Sequence, residues 1–160
     1  MKALITGVDG FVGKYLSEYL LKQKYEVYGT TISEKYKNEK IKIYKMNLLD
    51  EKEVNKVIKM IKPDKIFHLA GQSAVGLSWE KPVLTVNINV NGTLNLLEAV
   101  RNYSKDSKIL IVGSSDQYGP IKPEECPIKE SKIQNPQSPY GVSKKAQEEM
   151  CKLYVNAYHT

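Results

Sequence analysis

The sequence has few cysteines and no long apolar run, and each scarcity excludes a class of protein. Its two cysteines, Cys126 and Cys151, stand apart, without the spacing of a metal site or of a disulfide framework. Isolated cysteines fit a reducing compartment, so we expect a cytoplasmic protein without a bound metal. No apolar run approaches the roughly 20 residues of a transmembrane helix, so no membrane partner is expected. No leader is expected either, because Lys2 is followed directly by a strand and a glycine turn.

Arginine is also scarce, since Arg101 is the only one among the 24 Lys and Arg residues. Set against 18 acidic residues, they leave a net charge of +6. The lysines are spread along the chain and no recognition motif accompanies them, so we expect no nucleic-acid partner. A nucleic-acid or scaffold role built on this charge is the weaker alternative. A mildly positive surface would still attract an anionic nucleotide.

Short apolar strands alternate with helical patterns along the chain, which predicts an α/β fold. We expect strands at about residues 3–6, 26–30, 41–46, 65–70 and 109–112, and helices at about 11–23, 51–61, 83–103 and from 139 to the chain end. This order predicts a doubly wound parallel sheet, a Rossmann fold of about five strands in the order 3-2-1-4-5. The fifth strand is apolar throughout, which is typical of a strand covered on both faces.

Helix signals support these boundaries. Asp50 is placed to cap the second helix, in which apolar residues recur at helical spacing, and Pro63 follows its end. Ser138 and Pro139 match the N-cap and first position of the last helix. Between the fifth strand and this helix lies a proline-rich stretch, which we expect to be irregular.

The first strand runs into a glycine-spaced turn with the pattern Gly7-x-x-Gly10-x-x-Gly13. Gly7 permits a sharp turn, Gly10 permits close approach to a ligand, and Gly13 lets the helix pack on the strand. The amides of Phe11 and Val12 open the helix without intrahelical partners, so together with the helix dipole they predict a phosphate site. The alternative is an ordinary strand-to-helix turn that happens to be rich in glycine.

Three further residues suggest chemistry. Ser114 follows the fifth strand at its carboxyl end, where open α/β sheets bind ligands. Tyr140 and Lys144 lie four residues apart near the start of the last helix, so they share a face. An ammonium group and an oxidised nicotinamide would both stabilise a tyrosine phenolate, so Tyr140 could exchange a proton with an alcohol or a carbonyl group. Such a pair is common on helices, and its weight here comes from the motifs that accompany it.

Together these motifs resemble the extended short-chain dehydrogenase/reductase family of nucleotide-sugar epimerases, dehydratases and reductases. The motifs that carry the resemblance are Thr6-Gly7-x-x-Gly10-x-x-Gly13, Phe67-His68-Leu69-Ala70-Gly71, Asn89-Val90-Asn91-Gly92-Thr93, Gly113-Ser114-Ser115-Asp116-Gln117-Tyr118-Gly119 and Tyr140-Gly141-Val142-Ser143-Lys144. Within that family, the segments around residues 72–79 and 113–119 are most similar to the branch of GDP-4-keto-6-deoxy-mannose reductase and GDP-mannose 4,6-dehydratase.

The resemblance implies a set of site residues. Its catalytic residues would be Ser114, Tyr140 and Lys144. Its NAD or NADP cofactor would be bound by Gly7, Gly10, Phe11, Val12, Gly13, Thr31, Asn47, Leu48, Leu69, Ala70, Gly71, Ser73, Asn89, Val112, Tyr140 and Lys144. A nucleotide-sugar substrate, expected to be a GDP-sugar, would contact Ser73, Ser114, Ser115, Asp116 and Tyr140. His68 is expected to be a core residue without a catalytic role, and the family implies a homodimer.

The finer expectations depend on where the chain departs from the family. The second strand ends at Thr31 without an acid that would repel the extra phosphate of NADP, and Lys35 is near, which slightly favours NADP. Asp116 stands where the dehydratases have glutamate, which favours a reductase acting at C4 of GDP-4-keto-6-deoxy-mannose, with Tyr140 moving the proton. The alternatives are GDP-mannose 4,6-dehydratase or another epimerase or dehydratase. Asp116 could instead be structural.

Length is the largest departure, because family members continue past the Tyr140 helix into a smaller substrate-binding domain. We therefore expect residues 1–160 to form an incomplete NAD(P)-binding Rossmann domain, cut before the last strands. A cut there would leave apolar surface uncovered on the fifth strand and the last helix. Such a chain could bind NAD(P) while remaining catalytically inert, which is the alternative to an active enzyme.

Overall fold

The computed structural model describes residues 1–158. Five parallel strands form one sheet in the order β3-β2-β1-β4-β5, as the sequence predicted. The strands are β1 Lys2–Thr6, β2 Glu26–Thr31, β3 Lys42–Lys45, β4 Lys65–His68 and β5 Lys108–Ile111. In the register of the sheet Thr6 pairs with Thr30 on one side and with His68 on the other. The carboxyl ends of the three central strands therefore meet at one edge.

Six α-helices accompany this sheet within residues 1–158. They are α1 Phe11–Lys22, α2 Glu51–Ile61, α3 Val75–Glu80, α4 Pro82–Val86, α5 Gly92–Tyr103 and α6 Pro139–Tyr158. The predicted cap of α2 is confirmed, because the Asp50 side chain accepts hydrogen bonds from the amides of Lys52 and Glu53. The cap of α6 is confirmed too, because the Ser138 hydroxyl accepts from the Gly141 amide at 2.9 Å. The last two residues of the chain lie outside the described part.

Two apolar clusters fill the two faces of the sheet. Alternate residues of β1 point to opposite faces, so Leu4 packs with α2 and α5 while Ala3 and Ile5 pack with α1. The β1 residues 3–6 are 0% exposed. This two-sided burial is the doubly wound arrangement that the alternating pattern predicted.

The helix expected over residues 83–103 is confirmed in its extent, because helical residues run without a break from Pro82 to Tyr103. A short helix that was not expected, α3, lies before it and ends at Lys81, where φ is −133°. Lys81 precedes Pro82, and a proline disfavours helical geometry in the residue before it. A π-helical turn, Asn87–Asn91, then joins α4 to α5. Turns of this kind often occur at functional sites, and this one carries Asn89.

The expectation that β5 is covered on both faces is wrong. It forms an edge of the sheet, and Leu110 is 54% exposed. Leu153 and Val155 on α6 are 59% and 54% exposed. Apolar surface is thus uncovered on β5 and α6, as the sequence analysis expected. The proline-rich stretch is irregular apart from two short 3-10 turns, Ser115–Gln117 and Pro123–Glu125.

Candidate active site

The turn from β1 into α1 has the geometry that its glycines require. Gly7 has φ +69°, and a Cβ there would lie 2.9 Å from the Ala70 Cα. A Cβ on Gly13 would lie 2.6 Å from the Gly7 carbonyl oxygen and 2.7 Å from the Val8 Cα. The Gly7 and Val8 amides both donate to the Thr30 carbonyl, which fixes the turn on β2. The turn therefore brings α1 closely against the end of the sheet.

The N-terminus of α1 has no side-chain cap. Gly10 is its N-cap residue, and its first turn contains no acidic residue. The α2 helix differs, because Asp50 caps it and Glu51 and Glu53 lie in its first turn. The first amides of α1 are thus left to an external acceptor, and the positive end of the helix dipole lies beside them. This arrangement suits an anionic group such as a pyrophosphate.

A cleft of about 630 Å³ opens at this helix end and extends along the carboxyl edge of the sheet. It is lined by thirteen residues that the sequence analysis assigned to the cofactor: Gly7, Gly10, Phe11, Val12, Gly13, Thr31, Asn47, Leu48, Leu69, Ala70, Gly71, Ser73 and Val112. The cleft is also lined by apolar residues that were not assigned to it, Ile32, Met46, Leu49 and Ile88. Each of the four is adjacent in sequence to an assigned residue.

Two lining residues use their side chains locally. The Thr31 hydroxyl accepts from the Ser33 amide at 2.9 Å, and the Asn47 Oδ1 accepts from the Leu49 amide at 3.0 Å. A second pocket of about 390 Å³ shares Thr31 with the main cleft. Its lysines are Lys37 and Lys45, and Lys45 pairs with Glu34 at 2.6 Å. The cations beside the end of β2 therefore differ from the Lys35 suggested by sequence.

Asn89, assigned to the cofactor, lies behind the cleft wall and is 2% exposed. Its side-chain amide accepts from the Gln72 amide at 2.8 Å and donates to the Gln72 carbonyl at 3.0 Å. It also donates to the Ser143 hydroxyl at 2.9 Å. Asn89 thus joins the loop after β4 to α6 from behind the cleft wall.

Ser114 follows β5 and caps the first 3-10 turn, where its hydroxyl accepts from the Asp116 amide at 3.2 Å. Its own amide donates to the Gln117 side chain at 2.7 Å. Gln117 is 2% exposed and donates in turn to Glu148 on α6. The Asp116 carboxylate accepts from the Ser138 hydroxyl at 3.3 Å. Sequence analysis missed Gln117 and Glu148, which tie the Ser114 turn to α6.

Tyr140 and Lys144 lie in the first half of α6, which packs on the Ser114 turn. The packing is close, because a Cβ on Gly141 would lie 2.6 Å from the Asp116 carbonyl oxygen. Tyr140 is buried and Lys144 is half-buried. Burial lowers the pKa of the Lys144 ammonium, which donates to the Gln147 side-chain oxygen at 2.5 Å. These residues and Ser114 are not among the lining residues of the cleft, although Ser114 follows the lining residue Val112 by two positions.

His68 is a satisfied core residue, as expected. Its Nδ1 lies 2.8 Å from the Thr6 hydroxyl and its Nε2 lies 3.0 Å from the Thr93 hydroxyl. Burial, helped by the nearby Lys144, lowers the pKa of His68 to about 3. The ring is therefore neutral throughout the physiological range.

This buried imidazole predicts a pH dependence of stability. Because the pKa is about 3 in the folded chain and about 6.5 when unfolded, only the unfolded chain binds the proton between these values. Stability is then fully present above about pH 6.5 and is lost as the pH falls toward 3. We expect the free energy of unfolding to fall by about 2 kcal/mol between pH 7 and pH 5.

Urea denaturation of the chain and of a His68→Gln variant would measure this effect. Carboxyl groups titrate mainly below this window, so the slope between pH 5 and pH 6.5 is the useful readout. The variant should lose most of that slope. An equal slope in both proteins would contradict the assignment.

Within residues 1–158, no cluster of three or more His, Cys, Asp or Glu side chains is placed to hold a metal ion. The helices of this part of the chain are too short or too polar to cross a bilayer.

Comparisons with known proteins agree with this arrangement. A family model described as GDP-mannose 4,6 dehydratase matches residues 4–160. The chain is 35% identical to GDP-mannose 4,6-dehydratase of Vibrio cholerae, over 89% of this chain and 42% of that protein. It is 33% identical to GDP-6-deoxy-D-mannose reductase of Pseudomonas aeruginosa, over 94% of this chain and 46% of that protein.

Among solved structures, UDP-glucose 4-epimerase of Thermus thermophilus in complex with NAD superposes with a TM-score of 0.90. It is 33% identical, and the match covers 99% of this chain and 52% of that one. The chain thus spans about half the length of the proteins it matches. Because the family model matches nearly all of its residues, the chain belongs to the GDP-mannose 4,6-dehydratase family, within the extended short-chain dehydrogenases/reductases that its motifs resemble.

Proposed function

We propose that residues 1–160 form the NAD(P)-binding Rossmann domain of a cytoplasmic nucleotide-sugar oxidoreductase. Its reaction would be the NADPH-dependent reduction of GDP-4-keto-6-deoxy-mannose at C4. One observation carries the proposal: the uncapped N-terminus of α1 faces a cleft at the carboxyl edge of a parallel sheet. The relatives named above support the substrate class.

The residues of the cleft fit a dinucleotide. The amides of Phe11 and Val12 would bind the pyrophosphate, since the absence of a Cβ on Gly7 and Gly13 lets the turn and α1 pack closely against the end of the sheet. The apolar wall around Leu48 would pack against the adenine, and Ser73 would contact the ribose and nicotinamide side. The volume of about 630 Å³ is in the usual range of small-molecule sites.

In the proposed reduction, the bound cofactor supplies a hydride to the carbonyl carbon of the sugar. Tyr140 donates its hydroxyl proton to the carbonyl oxygen, which yields the alcohol and leaves a phenolate. The Ser114 hydroxyl holds the same oxygen by donating a hydrogen bond, because the Asp116 amide already donates to that hydroxyl. The Lys144 ammonium stabilises the phenolate. The half-burial of Lys144 strengthens this interaction by excluding water.

Reduction is favoured over dehydration by the surroundings of Asp116. Dehydration needs a further acid or base beside the catalytic serine, and Asp116 is the carboxylate in that position. Its oxygen accepts from Ser138 at the cap of α6, which suits a structural role. A 4,6-dehydratase is the second candidate, because the matching family model carries that name. Asp116 would then act on the substrate directly.

NADPH is proposed over NADH because Lys37 and Lys45 line the pocket beside the end of β2, which also contains Glu34 and Glu39. Thr31 occupies the position where an acid would select NAD, and Glu34 is already paired with Lys45. Lys37 lines the same pocket. The NAD found in the Thermus epimerase keeps NAD as the rival. We also propose a homodimer, in which exposed apolar residues such as Val83 and Val142 would be covered.

Two measurements on the chain test the proposal. Calorimetry should detect NADPH binding about three to ten times tighter than NADH binding, and Lys37→Gln should weaken NADPH alone. GDP-4-keto-6-deoxy-mannose with NADPH should give the reduced sugar. Conversion of GDP-mannose to a keto sugar in the presence of NADP+ would instead favour the dehydratase.

Two other results would also distinguish between these proposals. Cofactor binding without turnover of either sugar would identify a catalytically inert NAD(P)-binding chain. The absence of any cofactor binding by the folded chain would contradict all three assignments.

A further inference from the structure

A continuous chain of hydrogen bonds runs through the protein interior from the end of β1 to Lys144. The Thr6 hydroxyl lies 2.8 Å from His68 Nδ1, and His68 Nε2 lies 3.0 Å from the Thr93 hydroxyl. That hydroxyl lies 2.7 Å from Gln147 Nε2, and Gln147 Oε1 lies 2.5 Å from Lys144 Nζ. The other four residues of this hydrogen-bond chain, Thr6, His68, Thr93 and Gln147, are at most 2% exposed. These hydrogen bonds therefore connect the carboxyl edge of the sheet, where the nucleotide is proposed to bind, to α6 without a solvent-exposed step.

The number of hydrogens on each group determines which partner donates in each of these hydrogen bonds. The Thr93 hydroxyl has one hydrogen, which it donates to the Asn89 carbonyl at 2.7 Å. Its oxygen must therefore accept from both His68 Nε2 and Gln147 Nε2. His68 is neutral, so its hydrogen lies on Nε2, and its Nδ1 accepts from the Thr6 hydroxyl. No link in this chain can reverse without leaving a buried donor unpaired.

The same count fixes the orientation of the Gln147 amide. Its NH₂ group faces the Thr93 oxygen, so its carbonyl oxygen must face Lys144. We propose that Gln147 is a positioning residue that holds the Lys144 ammonium through an amide whose orientation is set by Thr93 and His68. The proposal rests on the proposed function for its catalytic meaning, because there Lys144 stabilises the Tyr140 phenolate.

The surroundings of Lys144 make this acceptor important. Lys144 forms no salt bridge within residues 1–158. The titratable groups that act on it are the neutral His68 on β4 and Cys151 further along α6, and Tyr140 lies one turn earlier on the same helix. Burial raises the pKa of the Cys151 thiol to about 11, so it carries no charge at neutral pH. The Gln147 oxygen is thus the hydrogen-bond acceptor that favours the charged form of Lys144.

Two substitutions of Gln147 should move the pKa of Lys144 in opposite directions. Gln147→Met removes the acceptor at similar volume, so the pKa should fall by about 1 unit. Gln147→Glu places a carboxylate there, so the pKa should rise by about 1 unit. The measurement is an NMR pH titration of the Lys144 side chain in the isotope-labelled chain, assigned with Lys144→Arg. Glu149→Gln, an exposed charge change on the same helix, is the matched control and should leave the titration unchanged.

A purely structural role for Gln147 would not produce opposite shifts. Unchanged titration in either folded variant, or shifts of the same sign, would overturn the proposal. If Gln147→Met does not fold, Gln147→Glu decides alone: a rise supports the proposal and its absence overturns it. This titration needs no substrate, so it can succeed even where the proposed reduction fails. Where reduction is observed, Gln147→Met should also shift the alkaline limb of the kcat/KM profile to lower pH.

Discussion

Replacing Tyr140 by phenylalanine should reduce the rate of sugar reduction about 100-fold to 10,000-fold, the usual contribution of a positioned general acid. The change removes the hydroxyl that we propose as the proton donor to the carbonyl oxygen. Tyr140 is buried near the start of α6, the helix that packs on the Ser114 turn. Phenylalanine keeps the aromatic ring, so folding and NADPH affinity should stay close to those of the unmodified chain. Stopped-flow detection of hydride transfer, with calorimetry of NADPH binding, measures both quantities.

Tyr19→Phe is the matched control for the loss of a tyrosine hydroxyl. Tyr19 lies on α1 and is 59% exposed, so its substitution should change neither binding nor rate. A Tyr140→Phe variant that transfers hydride at the original rate would remove Tyr140 from the catalytic role. An equal loss in both variants would point to a general effect on the protein instead.

The sheet was predictable because its signals are local and repeated. Each parallel strand is an apolar run of a few residues, and burial on both faces leaves no other arrangement for residues 3–5. The glycine turn carries steric demands that can be read directly from residue type, as Gly7 illustrates with its positive φ. Both features follow from short-range geometry. They gave the strand order and the position of the cleft.

The π-helical turn inside the segment Pro82–Tyr103 was not predictable in the same way. Its residue Asn89 contacts Gln72 and Ser143, and Ser143 is distant in sequence. The expectation that β5 is covered on both faces was wrong for a related reason. The apolar composition of β5 shows that the strand can be buried, but burial also requires neighbouring elements. Within the described residues β5 is an edge strand.

The polar residues that support the proposed site could also not be identified from the sequence. Gln117, Gln147 and Glu148 belong to residue types that usually lie on the surface, so nothing marked them as buried partners. Their roles appear only when α6 packs against α5 and the Ser114 turn, which pairs Gln147 with Thr93 and Gln117 with Glu148. The sequence thus named candidate catalytic side chains, which remain a prediction, whereas the buried side chains that hydrogen-bond around them could not be named in advance.

Replacing Gly13 by alanine should destabilise the chain by about 1–3 kcal/mol and weaken NADPH binding at least about tenfold. The added Cβ would lie 2.6 Å from the Gly7 carbonyl oxygen and 2.7 Å from the Val8 Cα and carbonyl oxygen. These are backbone atoms of the turn itself, so they cannot rotate away as a side chain could. Relief of the clash must move α1 away from β1, which displaces the Phe11 and Val12 amides from the proposed phosphate site.

Alanine also gains about 1 kcal/mol of helix propensity over glycine, so a control must separate this gain from the clash. Gly76 lies in the helix α3 with no atom within 4 Å of an added Cβ. Gly76→Ala should therefore keep or slightly raise the free energy of unfolding and leave cofactor affinity unchanged. Urea denaturation and calorimetry on both variants measure the two effects. If Gly13→Ala were as stable as Gly76→Ala and bound NADPH normally, close packing of α1 on the strand end could not be what forms the phosphate site.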